Sequence, residues 1–260
     1  MTPAARGRLQ VRVPLLTISA AAWMLLLIDP SGMAMPAYCA APMSGPPPSY
    51  ASLGLLLALN PPTSLASSWA LMLIAMMAPL LIAPVRHVRD RSLARRRARA
   101  TVLFVVGYAA LWMLAGIILQ TFALGFRVVA PVTLVPTTLL TIVAIVWQFS
   151  PVKQSCLNRC HAQPELAAFG TAADVDALRF GLTYGGWCVG SCWTLMLLPV
   201  LFSQAHVAAM AAVALWLFAE RLDRPMPPCW RWHGPGKAIR IAIAQTRLPR
   251  RRLTTRLGFS

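Results

Sequence analysis

Charged side chains are scarce in this chain, and acidic ones are the scarcest. Only 12% of the 260 residues are charged, with seven Asp and Glu against 24 Lys and Arg. Hydrophobic residues make up 58% of the chain and the mean hydropathy is +0.62, which is not the composition of a soluble globular protein. The length suffices for about six membrane spans of roughly 20 residues each. It leaves no room for a separate soluble catalytic domain.

The familiar signatures of catalysis are missing as well. The sequence has no Ser/His/Asp pattern, no phosphate-binding glycine loop and no pair of carboxylates inside an apolar stretch. No motif therefore indicates a catalytic site, and we favour a non-enzymatic function. An internal repeat is also absent, which removes the support for an inverted-repeat transporter.

The basic residues follow a pattern that decides how the net charge of +17 is interpreted. They occupy every second connection between apolar stretches: before residue 13, between Arg86 and Arg99, from Lys153 to Arg179, and after Glu220. This is the positive-inside pattern of a multispanning protein, whereas a nucleic-acid footprint would cluster on one polar face. We predict a multi-pass protein of the bacterial inner membrane, with the lipid bilayer as a partner, both termini cytoplasmic and no nucleic acid bound.

Long uncharged stretches predict the fold class, an all-α polytopic membrane bundle of about six transmembrane helices. The predicted spans are residues 13–28, 65–85, 101–126, 128–149 and two helices within 180–219, separated by a polar break at 203–206. The first apolar stretch is short and follows three arginines, as in a signal peptide, but no convincing cleavage site follows it. We interpret it as a retained signal-anchor helix.

The spans divide the chain into three parts. Residues 1–64 are predicted to be the signal anchor and an outer loop rich in Met and Pro, which has no Lys or Arg between residues 29 and 64. A short apolar piece at 53–59 is too short to span and is expected at the interface. Residues 65–221 form the transmembrane bundle of metal-binding type. Residues 222–260 are a basic cytoplasmic tail, expected to lie on the anionic inner leaflet.

Four of the six cysteines form two CxxxC pairs, Cys156 with Cys160 and Cys188 with Cys192. Residues four apart share one face of a helix, so each pair offers two sulfurs to one soft cation. Ser150 followed by proline predicts a helix start, which places the first pair on a short helix at the cytoplasmic surface. The second pair lies about two turns into the fifth span, counted from the same side. The topology therefore predicts that four sulfurs converge.

Methionines extend this sulfur pattern. Met196 follows Cys192 by four residues, and Met72 and Met76 form a similar stripe on the second span. Thiolates together with thioethers favour Cu(I), while four thiolates alone suit Zn(II) equally well. The predicted ion is copper or zinc, held by the four cysteines with Met76 and Met196 as candidate thioether donors. The alternative for the methionines is plain helix packing.

Other functions remain open at this point. The same cysteines suit a membrane thiol-disulfide oxidoreductase, although stable disulfides are disfavoured on the reducing cytoplasmic side. A scaffold that assembles with a partner and binds no metal is a third reading. Two looser groups carry metal-binding residue types: Met33, Met35, Cys39 and Met43 in the outer loop, and Cys229 with His233 in the tail.

Several segments resemble a bacterial family of predicted metal-binding integral membrane proteins, a domain of unknown function. The likeness covers residues 69–221 and rests on motifs at Trp69-x-x-Met72, Ala75-Met76-Met77-Ala78-Pro79, Phe104-x-x-Gly107-Tyr108-x-x-x-Trp112, Gln148-x-x-Pro151-x-Lys153-x-x-Cys156-Leu157-x-x-Cys160 and Gly185-x-x-Cys188-x-Gly190-x-Cys192-Trp193-x-Leu195-Met196. Ser191 stands where a further cysteine is common in that family, and the tail after Arg221 differs from its usual ending. The resemblance implies metal binding, with metal delivery, insertion or homeostasis as the expected role and a metal-receiving protein as the expected partner.

Overall fold

A computed structural model describes residues 3–28, 61–129, 135–201, 206–230 and 240, and every regular element in these ranges is helical. The all-α prediction is therefore confirmed for the described part of the chain. The elements are α1 (Pro3–Ile28), α2 (Pro62–Met77), a 3₁₀ turn (Ala78–Leu81), α3 (Ile82–Arg91), α4 (Arg97–Val129), α5 (Val135–Phe149), α6 (Pro151–Arg159), α7 (Gly170–Leu201) and α8 (His206–Leu222).

Three helical segments are long and apolar enough to cross a membrane. They are Gly7–Ile28 with 22 residues, Pro62–Arg91 with 30 and Arg97–Ala123 with 27. A shorter apolar helix, Thr138–Phe149, lies below the usual spanning length. These segments agree with three of the six predicted spans, and the full count of six stays a prediction.

Helix α1 docks on α2 at a carbonyl group that a proline leaves free. Pro79 has no N–H to return to the carbonyl of Ala75 four residues earlier, so the helix tightens into the 3₁₀ turn there. The hydroxyl of Ser19 donates to that carbonyl at 2.7 Å, and the indole of Trp23 donates to it at 3.0 Å. Two side chains of α1 thereby satisfy a buried acceptor in α2, as an apolar environment requires.

Helices α4 and α7 run parallel and form the tightest contact in the described bundle. A Cβ added at Gly107 would stand 2.6 Å from the carbonyl oxygen of Leu178, and one at Gly181 would overlap the carbonyl of Phe104. Only glycine admits so close an approach of two backbones, which is a common device in membrane helix packing.

Aromatic rings fill the rest of this contact and lead to the second cysteine pair. Phe104 and Tyr108 on α4 pack against Phe180 and Tyr184 on α7, with ring centroids 5.1–6.0 Å apart. The facing residues repeat every four positions on both helices, and the next position on α7 is Cys188. The α4–α7 contact therefore sets the orientation of this cysteine.

Helix α7 begins ten residues earlier than the span predicted from residue 180. Its first turns carry Asp174, whose carboxylate pairs with Arg96 at 2.9 Å and Arg99 at 2.8 Å. Acidic residues near a helix N-terminus also interact favourably with its dipole. These ion pairs let the helix continue beyond its apolar part. The sequence prediction stopped at the last charge and missed this extension.

Several predictions concern residues outside the described ranges. The outer loop from residue 29 to 60 includes the apolar piece at 53–59, and the tail is described only up to residue 230 and at Arg240. The polar break predicted at 203–206 is described only at His206, where α8 begins.

Candidate metal centre

Helix α6 carries the first cysteine pair and begins where the sequence predicted. The Ser150 hydroxyl accepts a hydrogen bond from the N–H of Val152 at 3.1 Å, and Pro151 occupies the first helical position. Cys156 and Cys160 lie one turn apart on this short helix, and both side chains are buried. The cap fixes the residue at which α6 begins, and with it the face of the helix that carries both thiols.

Cys156 packs on Gly190, which lies between Cys188 and Cys192 in sequence but on the opposite face of α7. A Cβ at residue 190 would stand 2.8 Å from the Cys156 sulfur. The carbonyl of Gly190 also accepts a hydrogen bond from the indole of Trp147 at 3.1 Å, which ties α5 to the same point. The missing side chain at residue 190 is therefore what lets α6 bring its thiol against α7.

Hydrogen-bond donors surround the sulfur of Cys188. The Nη2 atom of Arg221 donates to this sulfur at 3.3 Å, and the Tyr108 hydroxyl lies 3.5 Å from it. The Cys188 side chain is only 1% exposed. A buried sulfur that faces a guanidinium and a phenol is well placed to carry negative charge.

The fourth thiol, Cys192, is buried but turned towards its own helix. Its sulfur donates to the carbonyl of Cys188 at 2.9 Å. Within the described ranges, no three His, Cys, Asp or Glu side chains form a ready-made metal cluster. The helices that carry the two pairs pack against each other, and ligation by Cys192 would require this side chain to rotate away from its backbone acceptor.

Burial raises the pKa of both thiols of α6. Burial raises the pKa of Cys156 above its usual value, with the Arg159 charge acting against the rise. Burial also raises the pKa of Cys160 to about 12, again against a nearby positive charge, that of Arg221. A metal that binds these sulfurs therefore has to displace protons.

The sequence did not predict the buried ion pair that lies beside the thiols. Lys153, assigned to the cytoplasmic surface, is 1% exposed, and Glu220, interpreted as an interface residue, is 3% exposed. Their ammonium and carboxylate groups are in direct contact, and the Trp216 indole donates to the same carboxylate oxygen at 2.7 Å. Burial lowers the pKa of Lys153, while the Glu220 carboxylate opposes that change. The pair joins α6 to the end of α8.

The segment after α8 is held against α6 by further polar contacts. The Asn158 amide donates to the Met226 carbonyl at 2.6 Å and accepts from the Met226 N–H at 3.2 Å. The imidazole of His161 faces the Arg221 carbonyl at 3.3 Å. These contacts keep Arg221 beside the thiols. The sequence held no signal for them, because the partners are about 60 to 70 positions apart.

Both methionines that were predicted as thioether donors, Met76 and Met196, are inside the bundle, at 3% and 0% exposed. Met72, on the same stripe as Met76, is 4% exposed. Met76 also lines an apolar groove of about 320 Å³ together with Trp23 of α1 and Phe218 of α8. Their ligation stays a prediction.

The two looser groups of metal-binding residue types receive little support from the described residues. Cys229 is exposed on the segment after α8. His233 and the outer-loop residues Met33, Met35, Cys39 and Met43 lie outside the described ranges.

The comparisons with known proteins agree with a site built from soft ligands. No curated protein and no solved structure matches this chain. The model of a family described as a copper chaperone, PpoB2, matches residues 66–240, which is more than half of the chain and includes both cysteine pairs and Arg221. The chain therefore belongs to the PpoB2 copper chaperone family.

Proposed function

We propose that this protein is an integral membrane copper chaperone that binds Cu(I) through Cys156, Cys160, Cys188 and Cys192. The observation that carries the proposal is the position of Arg221, which donates to the Cys188 sulfur at 3.3 Å and whose charge also acts on Cys160, so one thiol from each pair lies beside the same guanidinium. Membership of a copper chaperone family supplies the role, which is to hold copper and pass it to a protein that needs it.

Copper fits this arrangement better than zinc. Thiolate and thioether ligands select soft Cu(I), whereas a structural zinc site needs four ligands in a closed tetrahedron. Cys192 is turned to a backbone carbonyl, so the four sulfurs do not already converge. Cu(I) needs fewer sulfur ligands than zinc does. An incomplete set of ligands also suits an ion that has to be released to another protein. Met76 and Met196 are additional candidate donors.

We place this site in a bundle of six spans in the bacterial inner membrane, with both termini cytoplasmic. The three long apolar segments and the alternation of basic connections support this topology. The receiving partner would then approach from the cytoplasmic side, where α6 carries its thiols. Transfer would proceed by exchange of one sulfur ligand at a time, with no net oxidation.

Metal analysis of the detergent-purified protein under a reductant tests the proposal. We expect bound copper in the unmodified protein, and less copper after Cys→Ser changes at Cys156, Cys160, Cys188 or Cys192. Cys229→Ser is the matched control, because this thiol is exposed and away from the two pairs. Competition with a chromophoric Cu(I) chelator gives the affinity of each variant.

Full copper binding by all four variants would contradict this site. Absence of copper in the unmodified protein, together with a mixed disulfide trapped by a single Cys→Ser change, would favour the oxidoreductase alternative instead.

A further inference from the structure

Arg221 places a positive charge directly beside the thiols. Its Nη2 atom donates to the Cys188 sulfur at 3.3 Å, and its guanidinium carbon lies 5.8 Å from the ring centroid of Tyr184. The charge of Arg221 also acts on Cys160, which in turn interacts with Cys188. One guanidinium therefore serves a thiol from each CxxxC pair.

Part of this guanidinium has no acceptor. The Nη1 atom is buried and finds no hydrogen-bond partner in the part of the chain that the structure describes. Buried polar atoms are nearly always satisfied, so this donor calls for an acceptor that the described residues do not supply, and a bound ligand would supply one. The guanidinium lies close enough to the Cys160 thiol to interact with it.

The surrounding charges leave Arg221 without a carboxylate. Glu220, its neighbour in sequence, is already paired with Lys153, and these two groups neutralise each other. Among the described residues Arg221 forms no salt bridge. The site therefore holds one half-buried positive charge with no carboxylate partner among the described residues, and enclosing a charge without a partner is costly.

Binding of Cu(I) by two thiols supplies the missing negative charge. Two S–H bonds break, two Cu–S bonds form and two protons leave, so Cu⁺ and two neutral thiols become an anionic bis-thiolate with a charge of minus one. Copper enters and remains as Cu(I). A zinc ion held by four thiolates would instead carry a charge of minus two, which one guanidinium does not neutralise.

We infer that Arg221 is the counter-ion of an anionic Cu(I) bis-thiolate formed by Cys188 and Cys160, and that its free Nη1 donates to a copper-bound sulfur. This inference rests on the proposed copper-binding function. It makes Arg221 a positioning residue that favours a monovalent ion. Charge-assisted hydrogen bonds to sulfur also favour the bound state over the protonated thiols.

Charge-removing variants of Arg221 test the inference in the full-length protein. We expect Arg221→Gln and Arg221→Met to weaken Cu(I) binding by about tenfold or more, because a charge lost from a low-dielectric site costs far more than one at the surface. Arg221→Lys should recover most of the affinity. Arg179→Gln removes the same charge from an exposed position on α7, and it should change the affinity by less than about threefold.

Copper-free thermal unfolding separates a binding role from a structural one. Arg221→Met keeps the apolar stem of the side chain, so it stays informative where the polar variant folds poorly. The inference predicts that the copper-induced rise in Tm shrinks in the Gln and Met variants and persists in the Lys variant.

Equal or tighter Cu(I) binding by Arg221→Gln and Arg221→Met would overturn the inference. It would mean that the guanidinium blocks the site and has to be displaced by copper. Failure of the unmodified protein to bind Cu(I) would instead refute the proposed function.

Discussion

The sulfur of Cys156 rests on the backbone of Gly190, and a single methyl group at that glycine would approach the sulfur to 2.8 Å. This contact joins α6 to the face of α7 opposite Cys188 and Cys192, because residues two apart in a helix point in nearly opposite directions. Each pair is local in sequence, yet the packing of the two helices that carry them depends on one residue having no side chain.

Gly190→Ala should separate the two pairs. The new methyl group would push α6 away from α7, at a cost of about 1–3 kcal/mol in unfolding free energy. Copper binding should weaken with it, measured by chelator competition. Gly186→Ala is the control, because its Cβ would meet only a leucine methyl at 3.4 Å. Unchanged copper affinity in Gly190→Ala would show that the sulfurs act independently.

Removing one partner of the Lys153–Glu220 pair should lower the unfolding free energy more than removing both partners. Lys153→Met or Glu220→Gln alone leaves one buried group without its partner, and we expect a loss of about 3–5 kcal/mol in unfolding free energy. The double variant should recover a large part of this loss. Thermal or denaturant unfolding in detergent gives the unfolding free energy of each variant. If the losses of the two single variants add up in the double variant, the two groups do not interact.

A second double-mutant cycle tests the contact between α1 and the Ala75 carbonyl of α2. Ser19→Ala removes one of its two side-chain donors and should cost about 1 kcal/mol in unfolding free energy. Pro79→Ala restores a backbone N–H for the same carbonyl, so Ser19→Ala should cost less in that background. Thr17→Ala is the control, because its exposed hydroxyl bonds only within α1, to Pro14. Equal costs in both backgrounds would exclude this role of Pro79.

Reporter fusions test the membrane topology. Fusions after residue 150 and at the C-terminus should report the cytoplasm, and a fusion within residues 46–49 should report the periplasm. The reason is that every basic residue except Arg127 lies on the side assigned to the cytoplasm. A periplasmic signal after residue 150 would reverse the sidedness and expose the thiols to an oxidising compartment.

Local patterns predicted most of the described helices and the arrangement of each cysteine pair. Ser150 and Pro151 predicted the start of α6, and the spacing of each cysteine pair placed its two thiols on one helical face. These features depend on residues within one or two turns, where capping and periodicity operate. The extension of α7 back to Gly170 was missed, because it is stabilised by Asp174 pairing with arginines far away in sequence.

Composition, the positions of three apolar spans and the spacing of the paired cysteines were thus determined by the sequence alone, because they follow from hydropathy and helical repeat. Tertiary structure decided which charges join the thiols. Lys153, Glu220 and Arg221 look like boundary residues in the sequence, and only the packing of α6 against α7 and the end of α8 buries or encloses them. Buried charge requires a partner, and the choice of partner is made by distance in space rather than distance along the chain.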